Sequence, residues 1–186
     1  MPKAVCTLPP ADFLRQCFDY DTASGELRWR HRPQEHFRSH QSFMSWNGKW
    51  AGRIAGRLGV KGYWQVCVNN RRLYAARIIY KMHHDIDPEW IDHADRNRLN
   101  NRLANLRSVS MQENNRNMIK PAGKTGYVGV RQYNEYGRKK QFTAVIRDGA
   151  GKRRGLGFFY TPEEAHAAYQ RAAQEIFGEF SPFPNT

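Results

Sequence analysis

The sequence predicts an α+β protein built from two modules, and three patterns carry that prediction. Ala75, Ile78, Ile79 and Met82 stand at i, i+3, i+4 and i+7, the period of a helix with one buried face. Three strand-like runs between Tyr127 and Phe159 are parted by turn chemistry and followed by a helix start at Thr161-Pro162-Glu163-Glu164. Between these patterns Lys120-Pro121-Ala122-Gly123-Lys124 breaks a polar, Asn-rich segment as a linker does. The boundaries read as a first module over 1–119, a linker over 120–126 and a second module over 127–186.

Element by element, Pro9-Pro10 opens a short helix with Phe13, Cys17 and Phe18 toward one side. Gly25-Glu26-Leu27-Arg28-Trp29-Arg30 reads as a short strand. From 31 to 59 the chain mixes Gly, Ser, Arg, His and Trp without clear period, which predicts an irregular arm. Trp64, Val66 and Val68 alternate before Asn69-Asn70, a pair that tolerates positive φ, so a hairpin precedes the periodic helix that His83 and His84 close. In the second module the strands Tyr127–Tyr133, Gln141–Arg147 and Arg153–Phe159 are separated by Asn134–Gly137 and Asp148–Gly151. The last helix places Ala165, Ala168, Tyr169, Ala172 and Ile176 on one stripe and stops at Gly178; small residues let it lie close to a sheet.

Charge narrows the function. The chain of 186 residues has 30 Lys or Arg against 17 Asp or Glu, a net charge of +13. A folded protein of that charge meets a polyanion most readily through released counterions, so nucleic acid leads the partner classes. Residues 28–81 hold twelve Lys or Arg against Glu35 alone, a local +11. Residues 82–95 then gather Asp85, Asp87, Glu89, Asp92 and Asp95 without a single Lys or Arg. Such an acidic knot in a basic chain is either a solvated loop or a collector of something cationic, a metal ion being the first candidate. Residues 120–160 are again basic, at +8, whereas 161–186 carry −3, so the sheet rather than the helix turns toward a polyanion.

Other classes are excluded. Cys6, Cys17 and Cys67 are odd in number and form no CxxC pair, which argues against a disulfide scaffold or a thiolate zinc site and for reduced, inert thiols. No apolar run approaches the ~20 residues that span a bilayer, and the N-terminus has no apolar secretory stretch, so a cytoplasmic protein without membrane contact is expected.

The chemistry concentrates in Trp90-Ile91-Asp92-His93-Ala94-Asp95, continued by Asn100-Asn101-Arg102-Leu103-Ala104-Asn105-Leu106. Phosphodiester hydrolysis needs an activated water and a cation on the phosphate and the leaving 3′ oxygen, both held in line. Asp92 offers a hard oxygen suited to Mg²⁺ or Mn²⁺, and an imidazole such as that of His93 takes a proton near neutral pH. Adjacent strand residues point to opposite sides, so the pair needs a twist or bulge to meet at one phosphate. Asn97, Asn100 and Asn101 read as turn formers, and Asp95 as a supporting or solvated acid. His31, His36 and His40 read as phosphate contacts or exposed side chains, and His83 and His84 as cations at a helix end.

From about Phe18 to Asn117, with the opening Tyr20-Asp21-Thr22-Ala23-Ser24-Gly25-Glu26-Leu27-Arg28-Trp29, the chain resembles the phage and intron-encoded, homing-type branch of the HNH endonucleases. The resemblance implies a ββα-metal nuclease module with His93 as general base and Asn105 bracing the loop that holds it. It further implies one divalent metal, Mg²⁺ or Mn²⁺, per active site on Asp92 and Asn114, and no small-molecule cofactor. Asn114 stands where many relatives have His, and Ala76-Arg77 replaces a usual His-Arg pair. Ser110 and Glu113 form a capping box for the helix of Asn114, where Arg116 is placed to touch a phosphate.

Residues 127–184 resemble the ethylene-response-factor (Apetala-type) DNA-binding domain, through Gly129-Val130-Arg131, Phe142–Asp148, Leu156–Phe159, Thr161–Ala165 and Ala168-Tyr169. That resemblance implies a three-stranded antiparallel sheet packed on one helix and laid in the major groove, with Arg131, Arg147 and Arg153 reading guanines. Lys139, Lys140 and Arg154 are then phosphate contacts. Tyr133 and Gly155 replace an Arg and a Trp of the plant domain, so its target sequence does not transfer.

Together these features imply a metal-dependent endonuclease on double-stranded DNA, monomer or dimer, phage-encoded and acting in the host cytoplasm, with site preference from the second module. The alternatives are a DNA-binding regulator with an idle HNH fold, and an RNA-binding protein.

Overall fold

The computed structural model describes residues 7–111, 113–114, 123–133 and 139–183. The chain divides into two units, Met1–Met111 and Gln112–Thr186.

In the first unit Pro10 precedes helix α1 (Ala11–Cys17), which buries Leu14 and Cys17. Phe18, expected to continue this helix, instead begins strand β1 (Phe18–Tyr20), because pairing with β2 (Leu27–Trp29) buries it opposite Trp29. Asp21 shapes the turn between them, accepting from the Ala23 amide at 2.9 Å and the Ser24 hydroxyl at 2.6 Å. The expected irregular arm contains helix α2 (His40–Trp50), capped by the Ser39 hydroxyl on the Ser42 amide. Its apolar stripe of Phe43, Trp46 and Trp50 has helical spacing, but Ser, Asn47 and Gly48 between them hide the period.

Strands β3 (Arg57–Leu58), β4 (Trp64–Val68) and β5 (Arg71–Tyr74) form an antiparallel sheet in that order. Asn69 and Asn70 turn β4 into β5 with φ of 49° and 60°, as that pair of residues allows. Gly56 is required at its position: φ is +96°, and a Cβ would lie 2.2 Å from the Gln65 carbonyl oxygen. Helix α3 (Ala75–His84) buries Ala75, Ile78, Ile79 and Met82, the predicted face. It joins Leu14, Cys17, Phe18, Leu27 and Val66 in one core, where each fully buried large side chain stabilises by about 1.5–3 kcal/mol. Strand β6 (Trp90–His93) then pairs antiparallel with β7 (Leu106–Val109).

The acidic stretch before β6 finds its cations inside the protein. Asp85 pairs with Arg15 at 2.7 Å, and Asp87 with Arg77 at 2.8 Å and Lys81 at 3.5 Å while accepting the Leu8 amide. These two carboxylates are therefore structural, not part of a metal-collecting knot. Among the described residues no three or more His, Cys, Asp or Glu come together to hold an ion.

In the second unit strands β8 (Val130–Gln132), β9 (Phe142–Arg147) and β10 (Arg153–Phe159) form an antiparallel sheet with β9 central. Helix α4 (Pro162–Phe177) starts at Thr161, whose hydroxyl accepts the Glu164 amide, with Pro162 in the first turn. Ala165, Ala172 and Ala173 bury against Val130, Ala144 and Ile146, so alanine faces bring helix and sheet close. Among the described residues no helix is long and apolar enough to cross a membrane.

Candidate active site

Asp92 and His93 end β6, where they are 7% and 4% exposed. Their ladder runs from Trp90↔Val109 to His93↔Leu106 without a register shift, so of the twist or bulge required by the sequence reading, no bulge is present in this strand pair. Asp92 instead meets its cross-strand partner: Oδ2 accepts from Arg107 at 2.5 Å. His93 is held through the other side, with Nε2 bonded to Asn101 Oδ1 at 3.1 Å and its ring 6.0 Å from that of Tyr63. An amide oxygen can only accept, so in this contact Nε2 is the donor. Arg98 stacks its guanidinium 4.9 Å from the centre of Tyr63, bringing a cation to the edge of the same group.

The loop between β6 and β7 is organised around Asp95 and Asn105. Asn105 Oδ1 accepts the Asp95 amide at 2.9 Å, and its Nδ2 donates to Asp95 Oδ1 and to the Asn100 carbonyl. Asp95 also accepts from Asn100 Nδ2 and the Asn97 amide. Partial burial works to raise the Asp95 pKa, but these bonds and the nearby His93 outweigh it and the carboxyl lies below its ordinary value. Asp95 is thus a fixed anion tying four segments of the loop together.

A second brace comes from far away in sequence. The Tyr20 hydroxyl donates to the Asn101 carbonyl at 3.2 Å and accepts the Leu103 amide at 2.8 Å, while Arg102 Nε donates to the Ala23 carbonyl at 2.6 Å. Gly25, at φ +81°, lets the β1–β2 turn approach, since a Cβ there would sit 2.7 Å from the Arg102 nitrogen. Tyr20 and Gly25 therefore set the position of Asn101, which holds His93.

Sequence reasoning missed Asn101, Arg107 and Arg98. Asn101 looks like one more turn-forming Asn, and only its 6% exposure separates it from Asn97 and Asn100. The β6–β7 register that aligns Arg107 with Asp92 was the one signal available for that ion pair. His36, read as a phosphate contact or an exposed side chain, is half-buried: Nδ1 accepts from Arg32 at 3.2 Å and Nε2 faces Gln16 Oε1 at 2.9 Å. His83 bonds the Ile79 carbonyl and packs edge-on against Tyr20. Of the thiols, Cys17 is buried and pushed up to about 11 by that burial, whereas Cys67 is exposed; Cys6 lies outside the described residues.

The remaining predicted positions fall in the second unit. Asn114 is helical and half-buried, and Arg116 lies outside the described residues. Arg131, Arg147 and Arg153 line one cleft of about 350 Å³. The register explains this, because Arg153 pairs with Arg147 and Arg131 with Thr143, on the face opposite Ala144 and Ile146. Arg154 pairs with Ile146 and so leaves from the helix side, away from those three. Lys139 and Lys140 are exposed ahead of β9, Lys140 lying 5.3 Å from the Tyr160 ring centre.

The donor set suits a hard, water-retaining ion. Mg²⁺ or Mn²⁺ is bound through one or two oxygens plus substrate phosphate, whereas zinc or calcium sites recruit more protein ligands. Asp92 is the buried carboxylate of this site that could hold such an ion.

This site lies within residues 73–116, which match the family model described as HNH endonuclease. HNH nucleases, the family of that match, generally use a divalent metal. An uncharacterized HNH endonuclease of Acanthamoeba polyphaga mimivirus is 33% identical over 112 residues, covering 60% of this chain and 54% of that protein. The chain spans about half the length of that relative. No solved structure matches the chain.

Proposed function

We propose that the chain is a divalent-metal-dependent endonuclease of double-stranded DNA, of the homing type, with a ββα-metal centre. One observation carries the reading: Asp92 and His93 are consecutive, buried and separately held at the end of β6, within the segment that matches HNH endonucleases. His93 acts as general base. Asn101 holds the ring through Nε2, and the imidazole receives the proton of the attacking water. Asp92 holds the metal ion, Asn114 being the second ligand by the family pattern. When bound, the ion supplies positive charge to the phosphate and the leaving 3′ oxygen. Asn105 keeps the His93 loop in shape, and Tyr20 restrains the same loop from outside.

The second unit is the grip, an ethylene-response-factor-type domain whose open sheet face lies on duplex DNA. The grouping of Arg131, Arg147 and Arg153 around one cleft supports it. These three read bases, and Lys139 and Lys140 meet phosphates.

The Arg107 ion pair on Asp92 favours a second reading, a DNA-binding protein with an idle HNH fold, because a cation already sits on the proposed metal ligand. Supercoiled plasmid incubated with Mg²⁺ or Mn²⁺ separates the two. Nicked or linear product is expected, with His93→Ala slowing it about a thousandfold while duplex binding persists. Wild-type protein that binds but never cuts would establish the idle reading.

A further inference from the structure

Arg32 is a buried cation without an anion. It is 6% exposed, yet among the described residues no Asp or Glu pairs with it. Its guanidinium lies instead among four rings, at 4.9 Å from Trp46, 5.0 Å from Phe37, 5.7 Å from Phe13 and 6.0 Å from Trp29. Neither nearby titratable group neutralises it. His36 accepts from Arg32 Nε, and burial first, then Arg32 itself, lower its pKa toward the neutral ring. Burial likewise keeps Cys17 a thiol. Aromatic faces stabilise such a cation, but buried charges as a rule are paired, so the site has capacity for one anionic group.

Arg32 contributes to the wall of an open cleft of about 610 Å³, within the range of small-ligand sites, between α2 and the β3–β4–β5 sheet. Arg57 and Arg72 stand at its rim, Trp46 and Trp50 form indole walls, and no acidic residue lines it. Trp50 remains 38% exposed, with the Lys49 ammonium 5.1 Å from its ring centre. Planar aromatic walls with arginines are the chemistry that takes a base by stacking and its phosphate by charged hydrogen bonds.

We propose that this cleft binds a nucleoside phosphate unit, with the phosphate at Arg32, Arg57 and Arg72 and the base against Trp46 and Trp50. The unit comes from one of two sources, an unpaired nucleotide of a DNA strand or a free nucleotide. The site uses no residue of the proposed active site, and its occupancy does not depend on cleavage.

Cys67 lines the same cleft, is exposed, and supplies a reporter. The full chain is alkylated with iodoacetamide in EDTA, so that no metal-dependent hydrolysis occurs, and the rate at Cys67 is followed by mass spectrometry. Deoxyadenosine 5′-monophosphate or a short oligo-deoxyadenylate slows this rate, whereas deoxyadenosine does not. Protection by the oligonucleotide alone assigns the source to a strand, and protection by the mononucleotide assigns it to a free nucleotide. Trp50→Ala, at an exposed position that folding tolerates, weakens protection about tenfold, the loss expected for one stacking partner. Arg72→Gln weakens it through the phosphate. Absence of protection at millimolar nucleotide, or equal protection by deoxyadenosine, overturns the proposal even if the protein cuts plasmid.

Discussion

The two units place their important side chains in opposite ways. In the first, Asp92, His93, Asn101 and Asn105 are each less than 9% exposed and fixed by named partners. In the second, Arg131, Arg147 and Arg153 stand exposed on an open sheet over a core of Val130, Ala144, Ile146 and alanines of α4. The difference fits the roles proposed for each set. Groups that act on a reacting phosphate must already be oriented when it arrives, and burial with hydrogen bonding gives that orientation. Groups that grip a long polyanion need reach, and their energy comes from released counterions rather than from a fixed pose. Failure should therefore be catalytic in one unit and affinity-based in the other.

The comparison breaks first, and hardest, at the exposed arginines. Replacing Arg131, Arg147 and Arg153 together with Gln should weaken duplex binding at least about a hundredfold, at about 1–3 kcal/mol per base contact, and leave the melting temperature unchanged. A titration against duplex at fixed salt, with a thermal melt beside it, checks both halves; a large fall in melting temperature would show that these arginines hold the sheet together.

Gly129→Ala tests the packing of the thin core. Gly129 has φ +78°, and a Cβ there would lie 2.1 Å from the Tyr169 ring. A loss of about 3 kcal/mol is expected, confined in hydrogen exchange to 123–183 of the full chain, with the first unit unaffected.

Asn101→Ala should reduce turnover about thirtyfold with little change in KM, since it frees the His93 ring without touching the grip. Turnover equal to that of the wild type would reduce Asn101 to a turn residue. Tyr20→Phe is the mildest change, about 1 kcal/mol for its two hydrogen bonds, read as faster amide exchange at Leu103.

What the sequence disclosed was local. The period of α3, the Asn69-Asn70 hairpin and the Thr161 cap each depend on residues within a few positions, and all three stand where the pattern put them. Helix α2 was hidden because its aromatic stripe is diluted by residues of low helix propensity. The Asn101–His93 bond and the aromatic cage of Arg32 were beyond reach for another reason. The rings around Arg32 come from four separate segments, at 13, 29, 37 and 46, and no spacing rule connects them. His93 and Asp92 were legible by type, whereas their partners depended on the fold.

The hydrogen bonds of Tyr20 reach across 81 and 83 residues, from a segment that lies outside the 73–116 stretch shared with the HNH family. Closing so long a loop costs entropy that the completed core must offset, so these bonds depend on that core. During synthesis the motif would emerge from the ribosome complete in sequence but slack in shape, tightening once the N-terminal hairpin docks. An excised motif peptide would remain in that slack state, and a gene trimmed to its recognisable part would encode the letters of a nuclease without its tension.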